Sequence, residues 1–278
     1  MRVAIFALVL ALAGVASAAP VTFPADASYV PFQCGGVVMN DRYQDQPGFI
    51  NESDIVGDPT APAGLRASDG TYLYLRMRLD GDPAPGQIPR AASWGIELDL
   101  DGDRTTYELL ILVDGLAANN AVELFTNHTV TLPNDPNDPA DQPPVATYSF
   151  ADNARSRAAP GVMTGNNGDF FLDFALPWSD LVAAGLDHTT ATRLWVGTST
   201  SADSLNGDFA CHDGAGGAAH LDTAGTDPTT GDPTGEPPAG TQLLEGGGGC
   251  STSTGATTPL FALGLVALLR RRRHPRQR

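Results

Sequence analysis

The chain has 278 residues, room for one large or two small domains. Its 16 basic residues are all Arg; between Asp26 and Glu245 nine of them oppose all 32 acids, a net of −23 for that stretch. A body this acidic repels phosphate backbones and argues against nucleic-acid binding, and 31 Gly with 22 Pro are too many turn-formers for a helical bundle.

Residues 1–18 read as a secretory signal peptide. Arg2 supplies the positive end and Val3 to Leu12 the apolar run. Ala16-Ser17-Ala18 forms a small-x-small cleavage site, so the mature chain is expected to start at Ala19. Residues 19–222 form the expected folded head, long enough to bury one core.

Within the head the dominant period is two. In Thr71–Leu79, Leu73, Leu75, Met77 and Leu79 alternate with Tyr72, Tyr74, Arg76 and Arg78. In Trp94–Leu100, Trp94, Ile96, Leu98 and Leu100 share a face; in Tyr107–Val113, Tyr107, Leu109, Ile111 and Val113 do. Val122–Phe125, Phe170–Ala175 and Leu194–Thr198 continue the series. Such alternation predicts half-buried antiparallel strands. Asp69-Gly70, Asp80-Gly81, Asp101-Gly102 and Asp114-Gly115 supply hairpin turn chemistry between them. Thr131–Pro144, with Asn-Asp-Pro twice, predicts a long exposed loop. Only Ser179–Ala184 has a helical reading, with Ser179 as its cap and Gly185 as its stop. The expected fold is all-β: an antiparallel, jelly-roll-like β-sandwich with one short helix.

The element order carries a resemblance. A strand ending in Asp80-Gly81-Asp82-Pro83 is followed by Trp94–Leu100 with its Asp-Leu-Asp-Gly-Asp turn. Tyr107–Val113 follows, and later Phe171-Leu172-Asp173-Phe174-Ala175-Leu176-Pro177-Trp178 with a short helix. This resembles the sandwich domains related to family-nine carbohydrate-binding modules and the DOMON group, over roughly residues 71–200. The DOMON haem ligands have no matching Met–His pair here.

Several constellations stand against plainer readings. Asp99, Asp101 and Asp103 sit at i, i+2 and i+4, spacing that curls carboxylates around a Ca²⁺. Gly102 comes too early for an EF-hand and Leu110 stands where a bidentate Glu belongs, so the alternative is an Asp-rich hairpin turn. Tyr72 and Tyr74, on the polar face of their strand, are candidates for stacking on a sugar, and Trp195, out of phase with Leu194 and Val196, is a third. Trp94 reads as core, and Asp173, opposite in phase to Leu172, as solvent-facing. Cys34 and Cys211 read most simply as one disulfide of an exported domain; the alternative joins Cys211 with His212 and His220 as metal ligands. No HExxH, Gly-x-Ser-x-Gly, P-loop or Rossmann pattern appears, so nothing in the sequence supports an enzyme. A hydrolase would need a carboxylate pair brought together by loops.

Residues 223–249 are rich in Pro, Gly and Asp and read as a flexible tether. Residues 250–278 follow the glycine run Gly246 to Gly249 with Cys250-Ser251, a polar spacer, the apolar run Leu260 to Leu269 and Arg270 to Arg273. Ten apolar residues as helix reach about 15 Å, half the hydrocarbon thickness, so the run is a marginal membrane stop with its Arg cluster on the cytoplasmic side. This order resembles the MYXO-CTERM sorting signal of myxobacterial surface proteins. The resemblance implies removal of the tail by a dedicated membrane protease (myxosortase). Gly249, Cys250 and Ser251 would form the processing site and Cys250 the lipid-attachment residue. The expected partners are that sorting protease, the export machinery and a cell-surface glycan. The expected location is the surface or outer membrane of a Gram-negative envelope. The expected role is a non-enzymatic binding or structural module.

Overall fold

The computed structural model describes residues 20–223, apart from 35, 46–47, 49, 117–119, 161–167 and 211–218. The signal-peptide, linker and sorting-tail expectations, including Gly249, Cys250 and Ser251, lie outside the described residues, as do Cys211 and His212. By its contacts the chain divides into Met1–Ala239 and Gly240–Arg278, and everything described belongs to the first unit. Among the described residues no helix is long and apolar enough to cross a membrane.

A one-turn 3-10 helix (Asp26–Ser28) leads into β1 (Val30–Pro31), β2 (Gln33–Cys34) and β3 (Val37–Val38). Then come β4 (Gly64–Ser68), β5 (Tyr72–Leu79), β6 (Ser93–Asp99), β7 (Leu109–Asp114), β8 (Ala121–Thr126) and β9 (Ala146–Ser149). Helix α1 (Phe150–Asn153) leads into β10 (Ala154–Ala158) and β11 (Phe170–Pro177); α2 (Trp178–Ala183) precedes β12 (Ala191–Ser199), β13 (Phe209–Ala210) and β14 (Ala219–His220). One antiparallel sheet runs β1-β4-β5-β11-β10, the other β13-β12-β6-β7-β8-β9, and β14 also pairs with β12. The chain changes sheets between β5 and β6, across α1, and across α2, and those changes make a sandwich rather than one long meander.

The alternating residues fill the space between the sheets. Leu73, Leu75, Met77, Leu79, Leu172, Phe174 and Leu176 from the first sheet join Trp94, Ile96, Leu98, Leu109, Ile111, Val113, Leu194 and Val196 from the second in one cluster. Trp94 is a core residue, and its indole N–H donates to the Glu52 carbonyl at 2.7 Å.

Several local expectations are corrected. Asp80-Gly81 makes no hairpin, because it opens the passage from the first sheet to the second; the other three Asp-Gly pairs do lie between paired strands. Tyr107 precedes β7 and packs with Leu110 and Leu112 on the outer face, away from Leu109, Ile111 and Val113. α2 begins at Trp178 with Pro177 as its N-cap, so Ser179 is not the cap. Its stop is as expected: Gly185 has φ +106, and the Gly185 and Leu186 N–H groups close on the Val182 and Leu181 carbonyls at 3.1 and 2.9 Å. A second short helix, α1, is capped by Ser149, whose Oγ accepts from the Asp152 N–H at 3.1 Å. Segment 131–144 is a loop, but Asp138 and Ala140 are buried because it folds back over the second sheet.

Neither outer face is bare. On the first sheet the N-terminal segment lies as a strap. Phe23 meets Tyr74 edge-on at 6.0 Å, the Arg76 guanidinium sits 3.6 Å over the Tyr29 ring, and the Asp26 carboxylate takes Arg76 Nη1 at 3.0 Å and also Arg157. Asp173 is not solvent-facing: it is fully buried beneath this strap. Arg76 Nε donates to it at 2.5 Å and Arg155 Nη2 at 2.8 Å. The sequence phase is right, but the face it points to is covered.

Candidate functional site

Tyr72, Tyr74 and Trp195 do not line one groove. Tyr74 is buried on the first sheet and donates its hydroxyl to Asp69 Oδ2 at 2.7 Å, so burial and this bond hold its proton well above the usual phenol range. Trp195 is buried on the outer face of the second sheet with Tyr107, Phe125 and Leu205. Tyr72 is half-buried and lines an open depression of about 580 Å³ with Gly70, Thr71, Pro177, Trp178, Ser179, Val182 and His188.

Local sequence builds this depression. Asp69-Gly70 turns β4 into β5; Asp69 Oδ1 accepts the Thr71 and Tyr72 N–H groups at 2.8 Å, and Gly70 takes φ +81. The end of β11 faces Tyr72 in register at Pro177. Trp178 N–H then donates to the Thr71 carbonyl at 2.9 Å, tying α2 to the turn. The Trp178 indole donates to Ser68 Oγ at 2.9 Å, and the His188 ring stacks on it at 4.3 Å. His188 Nδ1 contacts Asp222 Oδ2 at 2.5 Å, which fixes the imidazole edge beside the rings. The result is a depression in which the half-buried Tyr72 ring and the His188 imidazole are bordered by hydroxyls, over a Trp178 that is itself only 2 % exposed; such rings and hydroxyls suit a polyhydroxylated ligand. A second, smaller depression of about 230 Å³ is lined by Thr126, His128, Val145, Ala146 and Asp180, with Ala183 and Ala184.

At the Asp-rich turn the structure brings together Asp99, Asp101 and Glu108, one oxygen of each within 4.8 Å of the others. Asp103 points elsewhere: its carboxylate accepts the Thr105 N–H at 3.0 Å and hydroxyl at 2.7 Å, bonds that hold its pKa low. Glu108 enters because the hairpin places it beside Asp99, one step beyond the Leu98–Leu109 pair; that signal was readable only once the register was known. Each of these carboxylates already accepts a backbone N–H. Gly102 N–H donates to Asp99 at 2.6 Å, Asp103 N–H to Asp101 at 2.8 Å and Leu100 N–H to Glu108 at 2.6 Å. Arg193 Nη1 lies 3.3 Å from Asp99 Oδ2 and 2.8 Å from the Gly102 carbonyl. A Ca²⁺ bound here would compete with the Arg193 guanidinium for Asp99 Oδ2.

A second acidic group was not legible in sequence. Asp41, Asp45 and Asp208 bring carboxylate oxygens within 4.8 Å across more than 160 residues of chain. The structure holds Asp208 by the Ile55 and Phe209 N–H groups at 2.6 and 2.9 Å, and Asp54 by the Gln44 N–H at 2.9 Å. Burial, with the Asp208 and Asp45 charges, pushes Asp41 up to about 10. Burial with neighbouring carboxylates also raises Asp208 to about 7 and Asp54 to about 6. Retained protons therefore relieve the repulsion among these acids near neutral pH. Neither depression is lined by either acidic group.

Cys34 is half-buried against the main core and is not a free thiol. His128 and His188 lie in loops, each beside an Asp, whereas His220 lies on β14.

No family model matches this chain, and no curated protein and no solved structure matches it.

Proposed function

We propose that the chain is an exported, surface-anchored and non-enzymatic β-sandwich, a binding or structural module of the cell envelope. The signal peptide and the Cys250 sorting tail supply its address, with the sorting protease and the export machinery as partners. Cys34 pairs with Cys211. The observation that carries the binding role is the Tyr72 depression. It is the place where a sequence-predicted ligand residue, a stacked Trp178–His188 pair and the hydroxyls of Thr71 and Ser179 share one open surface. A surface glycan is the ligand class this chemistry favours, since apolar sugar faces stack on rings while hydroxyls take hydrogen bonds. The hydrolase alternative draws less support, because the carboxylates that do meet lie outside both depressions.

The test is a glycan array probed with the purified head, wild type against Tyr72→Ala. The expected result is binding to at least one glycan class, weakened on the order of tenfold in the variant, as the loss of one stacking contact implies. Equal binding by both proteins would move the ligand site away from Tyr72. Binding to no glycan would leave the structural role alone.

A further inference from the structure

Glu97 sits at the middle of β6, out of phase with Trp94, Ile96 and Leu98, and so faces outward from the second sheet. Its register neighbours are Leu110 on β7 and Trp195 on β12. Yet it is only 1 % exposed. Two loops, 127–145 and 200–208, close over this face. Ala140 N–H donates to the Asp203 carbonyl at 2.8 Å, Leu205 N–H to the Pro136 carbonyl at 3.3 Å, and Ser204 Oγ to Asn137 Oδ1 at 3.1 Å. The Tyr107 hydroxyl ties this lid to the sheet through the Asp138 carbonyl at 2.6 Å, and the Leu205 N–H also bonds to Glu97. Beneath the lid lie Tyr107, Leu110, Leu112, Phe125 and Trp195.

The electrostatics of this place are one-sided. Glu97 Oε1 is sealed from water and has no hydrogen-bond partner among the described residues. The charged groups around Glu97 and its neighbour Tyr107 are Asp135, Asp138, Asp141 and Asp203, all from the two lid loops. Asp138 is held ionised by Asn127, Thr131 and Leu132 donors. The only basic side chain paired with any of these acids among the described residues, His128, contacts Asp141 from an exposed position. The strand neighbours Leu110 and Trp195 carry no charge. An ionised Glu97 would thus be a buried charge with no counterion among like charges.

We infer that Glu97 is the pin of a pH-gated lid: protonated, it lets the two loops close over the aromatic face, and on losing its proton it drives them open. Burial first, then Asp138 and Asp135, hold the closed-state carboxyl well above its ordinary value of 4.5. For an acid raised in this way, the stabilisation of the closed form is complete below the ordinary value and is lost as pH rises above it. The opening constant therefore grows up to tenfold per pH unit until the closed-state pKa is reached. Opening would uncover Trp195, Tyr107 and Phe125 together, an aromatic surface separate from the Tyr72 depression.

Amide hydrogen exchange of the lid residues tests this from pH 6 to 9, with rates corrected for base catalysis. The expected result is that lid protection in the wild type falls as pH rises, by up to about tenfold per pH unit until the closed-state pKa is reached, while β7 amides keep theirs, and that Glu97→Gln shows a flat profile. Glu97→Leu, neutral at every pH, should be flat as well and serves if the Gln variant fails to fold. The same slope in the neutral variants, a flat wild type, or parallel loss of protection in β7 would each overturn the inference.

Discussion

Asp101 shows how much a side chain's meaning depends on its donors. In sequence Asp99, Asp101 and Asp103 form a calcium-like spacing; in the structure each accepts a backbone N–H two or three residues on, the habit that makes Asp a turn residue. Arg193 adds the positive charge that a cation would otherwise supply. Millimolar Ca²⁺ is therefore expected to raise the melting temperature of the head no more than NaCl of matched ionic strength, and equally in wild type and Asp101→Asn. A calcium-specific rise that disappears in Asp101→Asn would show that the ion does displace Arg193. Asp173 teaches the complementary lesson. Period two places it correctly on the outer face, but whether that face meets water depends on a segment some 145 residues away in the chain, and no local pattern encodes that cover.

At the scale of elements, the legible strands are those with large apolar residues alternating on the inner face: β5, β6, β8 and β11 match their expected spans closely, and β12 extends beyond its expected span at both ends, with Thr192 and Thr198 continuing the inner face. β7 is legible from Leu109 onward. The strands missed are short or poor in large apolar residues. β4 reads Gly-Leu-Arg-Ala-Ser and β10 Ala-Arg-Ser-Arg-Ala, edge or near-edge strands whose partners supply the apolar surface. The site divides in the same way. Tyr72 was legible because it stands on a clear strand beside a clear turn; His188 and Trp178 join it only through the crossing of α2. The strap over the first sheet is an element whose attachment can be measured. Removing Asp173 leaves Arg76 buried with its main partner gone, a loss of about 3–5 kcal/mol. Removing Asp26, which is half exposed, should cost about 1 kcal/mol or less. Urea denaturation of Asp173→Ala and Asp26→Ala checks this, and equal losses would mean that the strap, not the buried pair, holds the sheet face together.

For the whole molecule, the arrangement of charge is as informative as the fold. The body carries a net of −23, yet five of its nine arginines, Arg66, Arg76, Arg78, Arg155 and Arg157, lie on two strand pairs of the first sheet. There Arg76, Arg78, Arg155 and Arg157 pair with the buried acids Asp169 and Asp173 and three of them lie over Phe171, while Arg66 bonds to the Pro31 and His220 carbonyls. Among the described residues many of the remaining acids lie in turns and in the lid, where their charge repels other anions. The proposed function places this head at the cell surface, held there through Cys250. Protease shaving of intact cells, followed by fractionation, measures it most directly, with wild type compared against Cys250→Ala. The expected result is that wild-type head is removed by external protease from the membrane fraction, and that the Cys250→Ala head is exported but no longer stably attached. Protection of the wild-type head from external protease, or unchanged membrane retention of the Cys250→Ala protein, would contradict it.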